Sequence, residues 1–264
     1  MSAEQLVREG DLEGGLQNLQ NRIRKDPSSV RDRIFLFQLL VTMGQWPRAL
    51  TQLNITGEFD AANLAMVQTY REAIRCELLR QQIFAGKRTP LIMGDPEQWQ
   101  ALLLESLRLA AEQKFYEAHK LRDQAFDLAP ATPGTINGQR FDWIADADSR
   151  LGPVLEVIVN GGYYWVPFHR IKTIQLEAPE DLRDMVWMPA HFVWDNGGEA
   201  FGLIPTRYPG SENCEDSAIR LARKTEWQDQ GDGVYFGMGQ RLLTTPENDF
   251  ALMDIREIQL DLAD

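Results

Sequence analysis

An α+β fold is predicted, in which an irregular helical-repeat array leads into a small, mostly antiparallel β-rich domain. Three features of the 264-residue sequence carry that prediction. The turn Gly10-Asp11-Leu12-Glu13-Gly14-Gly15-Leu16 aligns with Gly44-Gln45-Trp46-Pro47-Arg48-Ala49-Leu50 at an offset of 34 residues. After Pro130, Gly, Pro and Asn-Gly pairs begin to punctuate short β-branched and aromatic runs, the pattern of hairpins. Charge divides at the same place: residues 1–132 hold 17 acids and 16 bases, and residues 133–264 hold 22 acids and 11 bases. The predicted division is therefore a helical domain over 1–132 and a β-rich domain over 133–264.

An offset of 34 is the period of tetratricopeptide helix pairs, so the array reads as TPR-like. A third copy of the turn, Gln113-Lys114-Phe115-Tyr116-Glu117-Ala118-His119, lies 69 residues after the second, two periods plus one. In the first and third copies a proline, Pro27 or Pro130, follows 17 residues after the turn begins, where the second helix of a pair stops. Helices are expected over 3–9 and 12–25, then over 29–43 and 46–54. The run from Ile34 to Val41 is apolar nearly all round, which suits a helix covered on both sides. Asp60 caps a longer helix, 61–85, that breaks the strict repeat. Asp95-Pro96-Glu97-Gln98 reads as an N-cap, a first-position proline and a capping box for a helix reaching Ala111, and a last helix covers 114–128.

The second half predicts strands over 154–159, 163–168 and 171–176, with Asn160-Gly161 as a hairpin turn. A short acidic helix at 179–185 precedes strands at 187–194 and 199–207, joined by Asp195-Asn196-Gly197-Gly198. Two more strands fit 234–244 and 250–260. This half holds five of the seven tryptophans.

Composition sets limits on function. Apolar residues make up 44% of the chain, too many for intrinsic disorder, and no apolar run approaches the roughly 20 residues of a membrane span. The start, MSAEQLVREGD, has neither the basic nor the apolar region of a secretory signal. Two cysteines, Cys76 and Cys214, suit a reducing compartment and free thiols. A net charge of −12, concentrated in the second half, opposes binding to a phosphate backbone.

Catalytic signatures are scarce. Phosphate-loop, zinc-protease, nucleophile-elbow and C-x-x-C motifs are absent, and only three histidines occur: His119, His169 and His191. The residues call for no cofactor and no metal. The richest cluster is Asp142, Asp146 and Asp148 with Trp143 and Arg150. Three carboxylates in seven residues could ligate a divalent cation, or serve as turn and cap residues with Arg150 as counter-ion. Alternating aromatics such as Tyr164 and Trp165 are either cross-strand packing or an interface.

The run Phe141-Asp142-Trp143-Ile144-Ala145-Asp146-Ala147-Asp148-Ser149-Arg150-Leu151-Gly152-Pro153 resembles the carboxy-terminal domain of the ImpE/TagJ family, the SciE-type virulence proteins. The likeness continues through Glu156, Tyr164-Trp165-Val166-Pro167-Phe168, Pro179-Glu180-Asp181-Leu182, Asn196-Gly197-Gly198-Glu199, Ile204-Pro205-Thr206-Arg207-Tyr208-Pro209, Thr225-Glu226-Trp227 and Gly239-Gln240-Arg241. His169 departs from the acidic or polar residue expected there, and Gly14 and Gly15 depart from the usual repeat turn. The resemblance implies a cytoplasmic accessory protein of the bacterial type VI secretion system. It implies binding of the small sheath subunit through that partner's amino-terminal helix, and a link to the AAA+ unfoldase that recycles contracted sheath.

Together these readings predict a non-catalytic adaptor whose helical half takes up an amphipathic helix at i, i+3, i+4 and i+7 anchors. Arg33, Phe37, Leu40, Tyr70 and Arg71 are the candidate groove residues, with packing between helices as the other role for the apolar ones. Asp142, Trp143, Asp146, Asp148, Arg150, Tyr164, Trp165, Arg207 and Tyr208 are candidates for an interface or a structural motif of the second half. Two rivals stay open: a metal-binding or hydrolytic site at Asp142, Asp146 and Asp148, and a clamp for acidic tails built on Arg22, Arg24 and Lys25.

Overall fold

Left-handed turns recur at the predicted positions in the structure, a computed structural model that describes residues 1–262. Gly10, Gly44 and Gln113, the aligned first residues of the three turns, have φ of 92°, 67° and 63°. Each joins a helix hairpin: α1 (Ala3–Glu9) to α2 (Leu12–Lys25), α3 (Val30–Thr42) to α4 (Trp46–Phe59), and, after α5 (Leu64–Phe84), α6 (Gln98–Ala111) to α7 (Phe115–Leu128). Ser2 and Gln5 form a capping box on α1, and Asp11 and Ser29 cap α2 and α3. Two boundaries differ from expectation. α4 continues to Phe59 rather than 54, because Asp60 is the residue that leaves helical geometry and caps the 3-10 turn Ala61–Asn63. The capping box of α6 uses Glu97 and Gln100, not Asp95 and Gln98.

Chain order places β1 (Leu91–Ile92) between α5 and α6. The later strands are β2 (Gly134–Ile136), β3 (Gln139–Phe141), β4 (Ala145–Asp146), β5 (Val154–Val159), β6 (Gly162–Pro167), β7 (Ile171–Leu176), β8 (Trp187–Trp194) and β9 (Glu199–Pro205). Beyond them come the short helix α8 (Ser217–Arg220) and β10 (Thr225–Asp229), β11 (Tyr235–Gly239), β12 (Leu242–Thr244), β13 (Asp249–Ala251) and β14 (Glu257–Leu260). Nine strands form the main sheet in the order β1-β6-β5-β9-β8-β7-β14-β2-β3. All its pairings are antiparallel except β1 with β6, an edge strand supplied by the helical half. The architecture is the predicted α+β arrangement.

Asn160-Gly161 closes β5 on β6 with φ of 50° and 72°, both left-handed as a two-residue type I′ turn requires. Asn137-Gly138 does the same between β2 and β3, strands too short to be seen in the sequence. The expected helix at 179–185 is only a 3-10 turn, Leu182–Met185, capped by Asp181 and Asp184. The strand expected over 234–244 is two, β11 and β12, and 250–260 is likewise cut by a 3-10 turn at Leu252–Asp254. β10, polar and almost wholly exposed, gave no alternation to read. Gly239 explains the first break: its φ is 87°, and a Cβ there would lie 2.0 Å from the Lys224 carbonyl oxygen. Gly239→Ala is expected to destabilise the chain by about 2 kcal/mol or more, read as a lower urea midpoint.

Strand alternation builds two cores. Ile158, Tyr163, Trp165, Trp187 and Leu203 point from the sheet toward the helices and join Phe37, Tyr70, Ile74 and Trp99 in one buried cluster. The opposite positions, among them Leu155, Val166, Met188, Phe192 and Ile204, form a second cluster within the β-rich half. Every residue of β5 is buried because both faces are covered.

Candidate functional site

α5 brings charge into the apolar contact between helices and sheet. Glu77 and Arg80, one turn apart among Ala73, Ile74 and Ile83, are both buried. Arg80 grips Glu156 of β5 with two parallel bonds, Nε to Oε1 at 2.6 Å and Nη2 to Oε2 at 2.8 Å, and also donates to the Arg207 carbonyl at 2.8 Å. Arg241, without solvent exposure, joins Glu156 to Asp146 and donates from Nε to the Pro205 carbonyl at 2.9 Å. Trp187 Nε1 donates to Glu77 at 3.0 Å. Arg207 crosses to the helical array, where Nη1 donates to the Thr42 carbonyl at 2.8 Å. Arg80, Arg207 and Arg241 are thus set among Glu77, Asp146 and Glu156, formally balanced.

Burial would raise the Glu156 carboxyl, but Arg80 and Arg241 outweigh it and hold its pKa at about 2. For Asp146 burial wins over Arg241 and lifts the pKa to about 6. Burial also draws Arg207 down to about 10 and pushes the Cys76 thiol up to about 12.

The aspartate cluster does not converge. Asp146 pairs with Arg241 and accepts from the Asp148 N–H at 2.9 Å, while Asp148 pairs with Arg150 and accepts from the Gly237 N–H at 2.7 Å. Asp142 is exposed. Among the described residues no group of three or more His, Cys, Asp or Glu is placed to hold a metal ion. As a metal site the three carboxylates are not gathered: Asp146 and Asp148 each neutralise an arginine, and Asp142 stands apart at the surface. Trp165 and Tyr208 are fully buried, the first donating to the Tyr163 hydroxyl at 2.8 Å and the second to Asp146 at 3.1 Å. Tyr164 packs on the second cluster, and Trp143, 39% exposed, is the one aromatic candidate of this set that is exposed. Trp143 borders a hollow of about 310 Å³ with Phe126 and Pro153.

The five helical candidates separate into three environments. Phe37 is fully buried, its ring 5.7 Å from that of Tyr70. Tyr70, itself 6% exposed, edges a groove of about 480 Å³ between α5 and β9, beside Arg183 and the 82% exposed Phe201. Arg71 donates to Asn54 at 2.9 Å, tying α5 to α4. Arg33 and Leu40 line a different groove, of about 250 Å³, crossing α2, α3 and α4. Its floor is Ile23, Leu36 and Leu40, and its walls carry Arg24 and Arg48 with Gln20 and Gln52. Arg33, Leu36 and Leu40 follow i, i+3 and i+7 along one face of α3, the spacing that presents a single stripe. Of the proposed acidic-tail clamp, Arg22 is already paired with Glu4 and Asp32, whereas Arg24 borders the groove.

Sequence reasoning missed Arg80 and Arg241 as partners of Glu156, and Glu77 beside Arg80. A signal was present: a single acid inside the apolar strand VLEVIV, and an acid and a base one turn apart on an otherwise apolar helix face.

The geometry defines a helical-array scaffold keyed onto a β-rich half by internal salt bridges, with grooves on its surface. A family model described as ImpE protein matches residues 138–259. Over 264 residues the chain is 52% identical to the type VI secretion system accessory component TagJ of Pseudomonas aeruginosa, covering 100% of this chain and 92% of that protein. A crystal structure of a Vibrio parahaemolyticus protein superposes with a TM-score of 0.89 at 25% identity, covering 99% of this chain and 98% of the other. The chain belongs to the ImpE/TagJ family. No helix among the described residues is long and apolar enough to cross a membrane.

Proposed function

We propose that this chain is a non-catalytic adaptor of the bacterial type VI secretion system, working in the cytoplasm. Residues 1–132 hold the small sheath subunit by its amino-terminal helix, and residues 133–264 orient that array and present a second surface toward the AAA+ unfoldase that recycles contracted sheath. Full-length likeness to an accessory component supports the setting. The observation that supports the binding role is the groove across α2, α3 and α4, lined by the half-buried Ile23 and by Arg24, Arg33 and Arg48, with the buried Leu36 and Leu40 one helical turn apart at its base. A labelled peptide of the sheath subunit's amino-terminal helix, titrated into the full chain and followed by fluorescence anisotropy, is expected to bind with micromolar or tighter affinity. No binding at peptide concentrations far above that range overturns the reading.

A further inference from the structure

One long backbone edge of the β-rich half has no strand beside it. Among the described residues β10 pairs only with β11, in an unbroken antiparallel register from Thr225 with Gly239 to Asp229 with Tyr235. The far side of β11 is occupied. There the Gly237 N–H donates to Asp148 at 2.7 Å, the Tyr235 N–H to the Ser149 hydroxyl at 3.1 Å, and the Gly239 carbonyl accepts from the Tyr208 N–H at 2.9 Å. Gly239, Gly237 and Tyr235 therefore turn their backbone groups away from β10. In an antiparallel ladder the residues opposite them, Thr225, Trp227 and Asp229, turn theirs the other way, onto the free edge, while Glu226 and Gln228 bond to β11. The other outer strands are shorter, two residues in β1 and β4 and three in β3 and β13, against five in β10. β10 carries neither a proline nor a bulge, the usual devices that blunt an edge, and Glu226 to Asp229 are exposed.

We infer that this edge takes a second copy of the chain, β10 lying antiparallel against β10 across a two-fold axis centred on Trp227. A two-fold perpendicular to the ribbon keeps every side chain on its own face, so residues of opposite face never stand opposite one another. Registers centred on Glu226, Trp227 and Gln228 obey that rule. Only the middle one uses the whole edge: Trp227 meets Trp227 of the second copy and Thr225 meets its Asp229, each pair exchanging both backbone bonds. Charge points to the same register. Centred on Glu226, that carboxylate would stand against its own copy, whereas centred on Trp227 each Glu226 faces a Gln228 and each Asp229 a Thr225, so no two acids are opposed. The Trp227 indole, 40% exposed and backed by the Tyr208 ring at 5.6 Å, meets its copy at the axis. The occupant is a second copy because β10 is its own complement in length, bonding pattern and charge.

Sedimentation equilibrium of the full chain is expected to show monomer and dimer in reversible exchange, with a Kd of about 10–100 μM because the contact is a single strand pair. Gln228, exposed on the strand, reads the register. In variants with unchanged circular dichroism, Gln228→Lys sets an ammonium opposite each Glu226 and is expected to tighten the dimer about fivefold, and Gln228→Glu opposes two carboxylates and is expected to weaken it about fivefold. A register centred on Glu226 would put position 228 opposite Lys224 and reverse both signs, and one centred on Gln228 would make both changes weakening. In amide exchange followed by NMR, the Trp227 N–H is expected to slow as protein concentration rises, while the Gln228 N–H, bonded to β11, is protected throughout. A chain that stays monomeric at about 0.5 mM overturns the assignment. So do equal dimerisation of the three proteins, either of the other sign patterns, or a dimer that leaves Trp227 exchange unchanged.

Discussion

Glu156→Gln is expected to lower stability by about 3–5 kcal/mol, the cost of leaving buried arginines without their carboxylate. Glutamine matches the shape of glutamate, so the loss reports charge and not packing. Arg80 and Arg241 both lean on this one side chain, and neither has exposure through which water can take over. A urea titration reads the effect as a lower midpoint. Adding Arg80→Met to the variant is expected to cost much less than it costs alone, because the partner is already gone. Proton linkage gives a second reading. The folded Glu156 pKa of about 2 lies below the ordinary carboxyl value of 4.5, so its contribution is fully present above pH 4.5 and is lost as pH falls toward 2. The stability difference between wild type and Glu156→Gln is therefore expected to shrink through that window. Asp146 works in the opposite sense: its pKa, raised from 3.8 to about 6, makes its contribution fall as pH rises across that interval. A wild-type-to-variant difference that stays constant from pH 5 to pH 2 would contradict the assigned pairing.

Trp187→Ala is expected to cost about 3–5 kcal/mol and to move the unfolding of helices and sheet together. The indole is fully buried, with its ring 6.0 Å from Trp46 and 5.8 Å from Tyr70, so it joins β8 to α4 and α5. Its truncation opens a cavity on the seam and removes the N–H that Glu77 accepts. Helical circular dichroism and the fluorescence of the six remaining tryptophans are expected to report one shared transition at a lower midpoint. Two separated transitions, with only the β-rich half destabilised, would show that the seam is not cooperative. The same seam dictates that binding measurements use the full chain, since a fragment ending at 132 would expose Tyr70, Ile74, Arg80 and Trp99.

Most helices were legible through local signals: a side-chain cap on α1 to α3, a left-handed turn residue after α1, α3 and α6, or a proline beyond α2 and α7. Strands β5 to β9 were legible through apolar runs and Asn-Gly turns. What escaped had no local cause. β1 is two residues long and exists because β6 offers an edge beside it. The split between β11 and β12 depends on how closely Gly239 approaches Lys224, a contact invisible in the run Gly237-Met238-Gly239. The site divided in the same way. Arg33 and Leu40 share a helix face, so spacing alone places them together. Phe37 and Tyr70 were groove candidates, but Tyr70 packs on Trp187, more than a hundred residues away in the sequence, and Phe37 packs on Tyr70. The aspartate motif was conspicuous, yet its meaning rests on Arg241, which lies 95 residues beyond Asp146.

The long reach of the buried salt bridges also orders events in time. On a ribosome, α5 is complete long before Glu156, 76 residues downstream of Arg80, has been made, and Trp187 trails Glu77 by 110. Until then the charged face of α5 has water as its partner and no sheet to enter. Helix hairpins are expected to form early from local contacts, while docking onto the sheet waits for the last strands and sets the pace of folding. The acid and base on α5 keep that waiting face soluble, so the residues that lock the finished molecule also protect the unfinished one from premature association.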